Sequence, residues 1–209
     1  MLDADRSELS THVVGRRGLI AGGAGLFVGA TALVASSDAA AAEVETSPGR
    51  PVPADVYADI CQLKANYVTA TDSLPFPDSG DRALALYRAT YAEDAQVSAG
   101  YDPAAPDFLV HGPDELFQVL QAGLAPFRAS QHNVGVIHVS LSDLSKPRGQ
   151  LAIITAHVLV TLVSIEGLGL TRIVATYHDE AQRRGRGRWQ VTKSFAQYLA
   201  TETAERVLP

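Results

Sequence analysis

The chain of 209 residues contains one cysteine, one methionine and one tryptophan. A lone thiol, Cys61, excludes an internal disulfide, so the fold must rest on buried apolar surface even in an oxidising compartment. Basic charge is also short: 17 Lys and Arg stand against 23 Asp and Glu, for a net charge of -6. Apart from residues 183–188 the basic side chains are scattered, which leaves no electrostatic footprint for nucleic acid, and the cluster itself reads as a solvated hairpin tip. There is no G-x-S-x-G elbow and no phosphate-cradling loop, and the six histidines are too dispersed for an H-E-x-x-H metal motif. Beyond residue 42 no apolar run approaches the roughly 20 residues that span a bilayer.

What is present begins with an export address. Arg16 and Arg17 precede an uncharged run at residues 21–35, and Ala39, Ala40, Ala41 and Ala42 follow before Glu43. A basic start, a short Gly-rich apolar stretch and an A-x-A-type cleavage site make residues 1–42 resemble a twin-arginine signal peptide. Gly15 stands where Ser or Thr is usual, and Ala21 where Lys is common. An uncleaved anchor helix is the plainer alternative. Cleavage would leave a soluble, exported product without stable membrane association, in which residues 43–53 are a linker, 54–200 the domain and 201–209 a tail.

Within the domain, Val56, Ile60, Leu63 and Tyr67 fall three or four apart and predict a helix capped by Asp55 and ending near Thr71. Asp81 caps a second helix with Leu84, Tyr87, Arg88 and Tyr91 on one stripe. His111, Gly112, Pro113 and Asp114 open a third, with Leu116, Phe117, Leu120 and Leu124 inward. Residues 95–99 read as a short strand. Residues 134–141, 151–163, 170–179 and 189–198 are long β-rich segments separated by turns at 146–149, 166–169 and 183–188. Helices first and long strands after is an α+β pattern, with helices packed on one face of a curved sheet.

The order of motifs resembles the SnoaL-like branch of the nuclear transport factor 2-like superfamily. Ile60, Leu63, Tyr67 and Asp72 match its first-helix pattern, and residues 91–97 its passage from helix into first strand. His111 to Leu116 match its next helix start, Gln131, His132 and Asn133 the opening of its long strand, and residues 149–152 the turn into the next. Tyr177, His178 and Asp179, followed by Gly187, Arg188, Trp189, Gln190 and Val191, close the set. The resemblance spans residues 55–198 and implies a cone-shaped, curved antiparallel or mixed sheet closed by helices. It further implies an apolar pocket for a small hydrophobic molecule, and a homodimer formed through the outer sheet face, where apolar strands such as residues 158–163 would need cover.

In dehydratases and dehydrochlorinases of this family, an Asp ending the first helix orients a His on the long strand, and that His removes a proton from substrate. Asp72 and His132 occupy those positions. A carboxylate bonded to one ring nitrogen fixes the imidazole tautomer and stabilises the imidazolium formed when the other nitrogen takes a proton. The plainer alternative makes Asp72 a helix terminus and His132 a strand-edge residue. Tyr67, Tyr91 and Tyr87 are candidate donors to a substrate carbonyl, or else core residues with bonded hydroxyls. His157 shares a strand face with Ile153, Thr155, Leu159 and Thr161, which suits either a cavity wall or the outer surface. His138 lies six residues after His132. For Ile137, Val139 and Leu141 to face inward together with His132, the strand must bulge near Gly135 and turn His138 outward.

The sequence therefore supports cofactor-independent acid–base chemistry of dehydratase, isomerase or cyclase type, with catalytic candidates Asp72, His132, Tyr67 and His157, substrate contacts at Tyr91 and Tyr87, and no metal. A non-catalytic binding or assembly domain of the same fold remains the alternative, and export favours it.

Overall fold

The computed structural model describes residues 51–143, 149–165, 169–183 and 187–204. The signal peptide expected at 1–42, most of the linker, and the centres of the three turns at 146–148, 166–168 and 184–186 lie outside the described residues.

Helices α1 (Ala54–Ser73) and α2 (Gly80–Thr90) lead into strands β1 (Tyr91–Gly100) and β2 (Phe108–His111). Helix α3 (Gly112–Leu124) follows, then β3 (Phe127–Asp143), β4 (Gln150–Ser164), β5 (Leu170–Arg183) and β6 (Gln190–Ala204). The strands form one open mixed sheet in the order β2-β1-β6-β5-β4-β3. β1 and β6 run parallel and every other pair is antiparallel. The α+β class and the mixed sheet packed against the N-terminal helices are as the sequence implied.

Helix α1 forms where apolar residues recur at helical spacing, and Val56, Ile60, Leu63, Tyr67 and Ala70 are all buried. Pro53 rather than Asp55 occupies its cap position; Asp55 falls in the first turn, where a carboxylate meets the positive end of the helix. Ser79, not Asp81, takes the cap position of α2, whose buried face is Ala83, Tyr87 and Thr90. Arg88 departs from the expected stripe and instead meets the Asp114 carboxylate of α3 through two exposed bonds of 2.8 Å. Helix α3 starts at Gly112, whose φ of 74° lies in the left-handed region and whose missing Cβ leaves room for the Glu93 carbonyl. Pro113 follows in the first turn, where its missing N–H has no helical partner to lose.

The sheet presents its inner face to the helices largely through alternation. On β4, Ala152, Ile154, Ala156, Val158, Val160 and Leu162 are buried, joined by Ala175, Tyr177 and Ala181 of β5. The 158–163 segment is therefore only in part an exposed apolar strand: Val158, Val160 and Leu162 are buried, Val163 is half-buried and Leu159 is 38% exposed. Strand β2 has no counterpart among the expected strands, because four residues between Pro106 and Gly112 are too few to show a period. Strand β6 continues to Ala204, pairing residues 201–204 with β5 where a tail was expected.

Strand β3 is an edge of the sheet and carries the predicted bulge. Its register against β4 shifts between Val134 and Ile137, so three steps on β3 oppose two on β4. Val134, Ile137, Val139 and Leu141 pack against the core, whereas His138 is exposed. A Cβ at Gly135 would make only ordinary contact, 3.5 Å from the His157 carbonyl, so pairing register rather than glycine geometry sets the bulge. The free edge of β3 is partly covered by α1. The Tyr57 hydroxyl donates to the Ile137 carbonyl at 3.3 Å, and further along the Asp72 carboxylate accepts the His132 N–H at 2.9 Å.

Candidate functional site

Asp72 lies in the last turn of α1, an unfavourable place for a carboxylate because the negative end of the helix dipole points there. Three donors from β3 compensate. His132 Nδ1 lies 2.6 Å from Oδ1, the Ser130 hydroxyl donates to the same oxygen at 2.9 Å, and the His132 backbone N–H donates to Oδ2 at 2.9 Å. Ser130 and His132 reach one carboxylate because residues two apart on a strand share a face. The His132 side chain is 5% exposed and that of Asp72 23%. Burial pushes the Asp72 carboxyl up, but the bonds from the His132 ring and backbone, the charge of His132 and the Ser130 bond outweigh it, and the group sits below the ordinary carboxylate range.

An ionised carboxylate accepting at Nδ1 requires the proton there, which leaves Nε2 as the basic nitrogen. Among the described residues no hydrogen-bond partner meets Nε2.

Tyr67, one helical turn and a residue before Asp72, meets the His132 ring edge-on with centroids 5.8 Å apart. It is the centre of a tyrosine cluster, with Tyr87 at 6.2 Å, Tyr91 at 6.4 Å and Tyr177 at 5.7 Å. Burial raises the phenols of Tyr67, Tyr91 and Tyr177, so all three remain protonated donors. The sequence candidates Asp72, His132, Tyr67 and Tyr91 are thus brought together.

Two candidates are not. Tyr87 is fully buried, and because the single Thr71 hydroxyl proton goes to the Tyr67 carbonyl at 2.9 Å, the Tyr87 hydroxyl donates to Thr71 Oγ1 at 2.8 Å. It ties α1 to α2 and packs on Phe117, 6.5 Å between ring centroids, rather than offering its hydroxyl to a ligand. His157 lies on the outer sheet face, exposed, with Nδ1 3.2 Å from the Thr176 hydroxyl. Strand alternation turns it away from Ala156 and Val158, which are buried, and so away from His132.

The structure also gives a place in the site to residues that the sequence does not mark as site residues. Ser130 completes the carboxylate cradle. Lys64 of α1 forms a buried ion pair with Asp179 of β5, and Tyr177 places its hydroxyl 3.3 Å from that of Tyr67. The signal for the last two was present: Tyr177 and Asp179 are two apart, hence on one face, and flanked there by the small residues Ala175 and Ala181. Among the described residues no cluster of three or more His, Cys, Asp or Glu is arranged to hold a metal ion, and no helix is long and apolar enough to cross a membrane.

A protein-family model described as a SnoaL-like domain matches residues 53–194. No curated protein matches the chain by sequence. Among solved structures the chain is similar to a candidate scytalone dehydratase from Novosphingobium aromaticivorans, at 17% identity and a TM-score of 0.54 over 74% of this chain and 90% of that one. It is similar to the hexachlorocyclohexane dehydrochlorinase LinA-type3 from Novosphingobium barchaimii, at 17% identity and 0.54 over 74% and 95%. It also resembles the Kfla4162 protein from Kribbella flavida, at 19% identity and 0.55 over 72% and 95%. At these identities the likeness is one of fold.

The Asp72 cradle has a measurable signature. A carboxyl whose folded pKa is depressed contributes stability above its unfolded value, near 4, and loses it as pH falls through the lower folded value. Asp72→Ala is expected to lower unfolding free energy at pH 7 by about 1.5–3 kcal/mol, the range for hydrogen bonds to a charged group. In urea titrations the gap from the parent should narrow progressively below about pH 4; a gap independent of pH would show that the charge of Asp72 is not what β3 holds.

Proposed function

The chain belongs to the SnoaL-like domain family, and from that premise we propose that it performs cofactor-independent acid–base chemistry on a small hydrophobic molecule. The observation that carries this reading is the 2.6 Å contact between Asp72 Oδ1 and His132 Nδ1, which leaves Nε2 as the base. His132 Nε2 removes a proton from carbon next to a carbonyl or a leaving group, Asp72 stabilises the imidazolium, and the Tyr67 phenol donates to the developing oxyanion, with Tyr91 beside it. The enolate then takes the proton back from the imidazolium at another carbon, attacks an electrophilic carbon to close a ring while the imidazolium protonates the oxygen so formed, or expels a leaving group that departs with the proton, giving isomerisation, cyclisation or elimination. A solved neighbour being a dehydrochlorinase agrees with a lyase of this kind.

Residues 1–42 act, on this reading, as a twin-arginine signal, and the mature domain works as an exported homodimer. Replacing Arg16 and Arg17 together by Lys should stop export of the full chain and retain it in the cytoplasm in immunoblots of cell fractions; undiminished export would remove the twin-arginine reading.

Proton abstraction can be followed before the natural substrate is in hand, because it washes deuterium into an enolisable ketone. With 2-tetralone and related bicyclic ketones in D2O, the parent should accelerate α-proton exchange detected by NMR. His132→Ala and Asp72→Asn should each reduce the rate by about 10²–10⁴-fold, the usual contribution of a positioned base. Variants that exchange as fast as the parent, or bind the ketone without any exchange in the parent, would leave a binding module in place of an enzyme.

A further inference from the structure

The interior holds a second acid–base pair that the chemistry above does not use. Lys64 lies on the buried stripe of α1, three residues before Tyr67, and its ammonium is ion-paired with Asp179 Oδ2 of β5, the two side chains being 7% and 1% exposed. Asp179 is anchored in turn by the Ser194 hydroxyl of β6, which donates to Oδ1 at 2.6 Å. Enclosing two charges in this way forfeits solvation that their attraction only partly restores, and apolar side chains at the same positions would serve stability at least as well. The placement of the pair therefore calls for another reason.

That reason lies in what the ammonium touches. Lys64 Nζ stands over the Tyr177 ring, 4.6 Å from its centroid, and 5.9 Å from that of Tyr67. The Tyr67 and Tyr177 hydroxyls are 3.3 Å apart and share one hydrogen bond, so one of their two protons is left over. Among the described residues the Tyr177 hydroxyl has no acceptor other than Tyr67. If Tyr67 were the donor, Tyr177 would hold a stranded donor in the core, whereas Tyr67 has the Thr71 side chain as a second partner, so the favoured arrangement has Tyr177 donating to the Tyr67 oxygen. The Tyr67 proton is then left for the Thr71 side chain, its second hydrogen-bond partner, or for a ligand oxygen, in the ring that abuts His132.

Building on the acid–base reading of Asp72 and His132, we infer that Lys64 is a positioning residue for the Tyr67 phenol: held by Asp179 over the Tyr177 ring, its cation polarises the Tyr177 O–H toward Tyr67, which presents its own proton to an oxyanion forming beside His132. A cation on an aromatic face draws on the ring's electrons, and a hydroxyl that accepts a hydrogen bond donates a stronger one. The arrangement selects a substrate class. It rewards molecules whose proton loss places negative charge on oxygen, namely carbonyl compounds with a removable α-proton.

The test uses the full mature chain and three variants. Tyr177→Phe removes one hydroxyl without changing shape. Lys64→Met with Asp179→Asn removes both charges and strands neither, and Lys64→Arg keeps the cation. With 2-tetralone in D2O, Tyr177→Phe and the double variant should each lower kcat for exchange on the order of tenfold, less than loss of a direct oxyanion donor, with KM unchanged and Lys64→Arg near the parent. In tyrosine labelled with 13C at Cζ, the Tyr67 resonance, assigned through Tyr67→Phe, should shift in Tyr177→Phe and in the double variant. An unmoved Tyr67 resonance, or parent-like kcat in both variants while His132→Ala abolishes exchange, overturns the inference and leaves the base intact. If His132→Ala leaves exchange unaltered, or the parent shows none, the acid–base reading falls and the Tyr67 resonance alone decides whether Lys64 polarises the phenols.

Discussion

One carboxylate at the wrong end of a helix organises this molecule. Asp72 is held against the negative terminus of α1 by three donors from a single strand, and that strand is the sheet's edge, whose outward N–H groups would otherwise seek another partner. The contact thus joins helix to sheet, covers part of an open edge and fixes an imidazole tautomer. Without the β3 donors the charge of Asp72 would oppose the helix dipole uncompensated. Without Asp72 the His132 ring would lose the partner that fixes its orientation and its tautomer.

Around that contact the core is laid out so that α1 faces the sheet with chemistry rather than with grease alone. Lys64, Tyr67, Thr71 and Asp72 share the underside of one helix, and each meets a partner from a different element: Asp179 and Tyr177 on β5, Tyr87 on α2, Ser130 and His132 on β3. Ser194 of β6 extends the chain of contacts. Small residues on the facing strands, Ala152, Ala156, Ala175 and Ala181, leave space for the tyrosine rings that fill the centre. The fold is shared with solved structures at under 20% identity, so the architecture is tolerant of sequence and the particular chemistry must reside in these inward side chains.

Much of this was legible in the sequence, and the failures have physical causes. Helical periodicity exposed the α1 stripe because each of its apolar members is buried, and Asp72 with His132 could be paired through motif order. The bulge in β3 followed from requiring His132 and Ile137 to share a face. Period-two alternation, by contrast, sorts residues into faces without saying which is inside, and so His157 on a mixed polar and apolar strand gave no direction. Tyr87 looked like a pocket residue because spacing marks a buried ring but not the fate of its hydroxyl. Lys64 was invisible for the opposite reason: a lysine beside a helical stripe reads as solvated, and only the distant Asp179, 115 positions further on, makes its burial tenable.

The central claim is that Asp72 fixes the proton of His132 on Nδ1 and leaves Nε2 to act as base. Long-range 1H–15N correlation spectra of the ring, recorded at a pH where the imidazole is neutral, read the tautomer directly. The account predicts a protonated Nδ1 and an unprotonated Nε2 in the parent, with that preference weakened in Asp72→Asn. A proton on Nε2 in the parent, or a tautomer balance indifferent to Asp72, would contradict it.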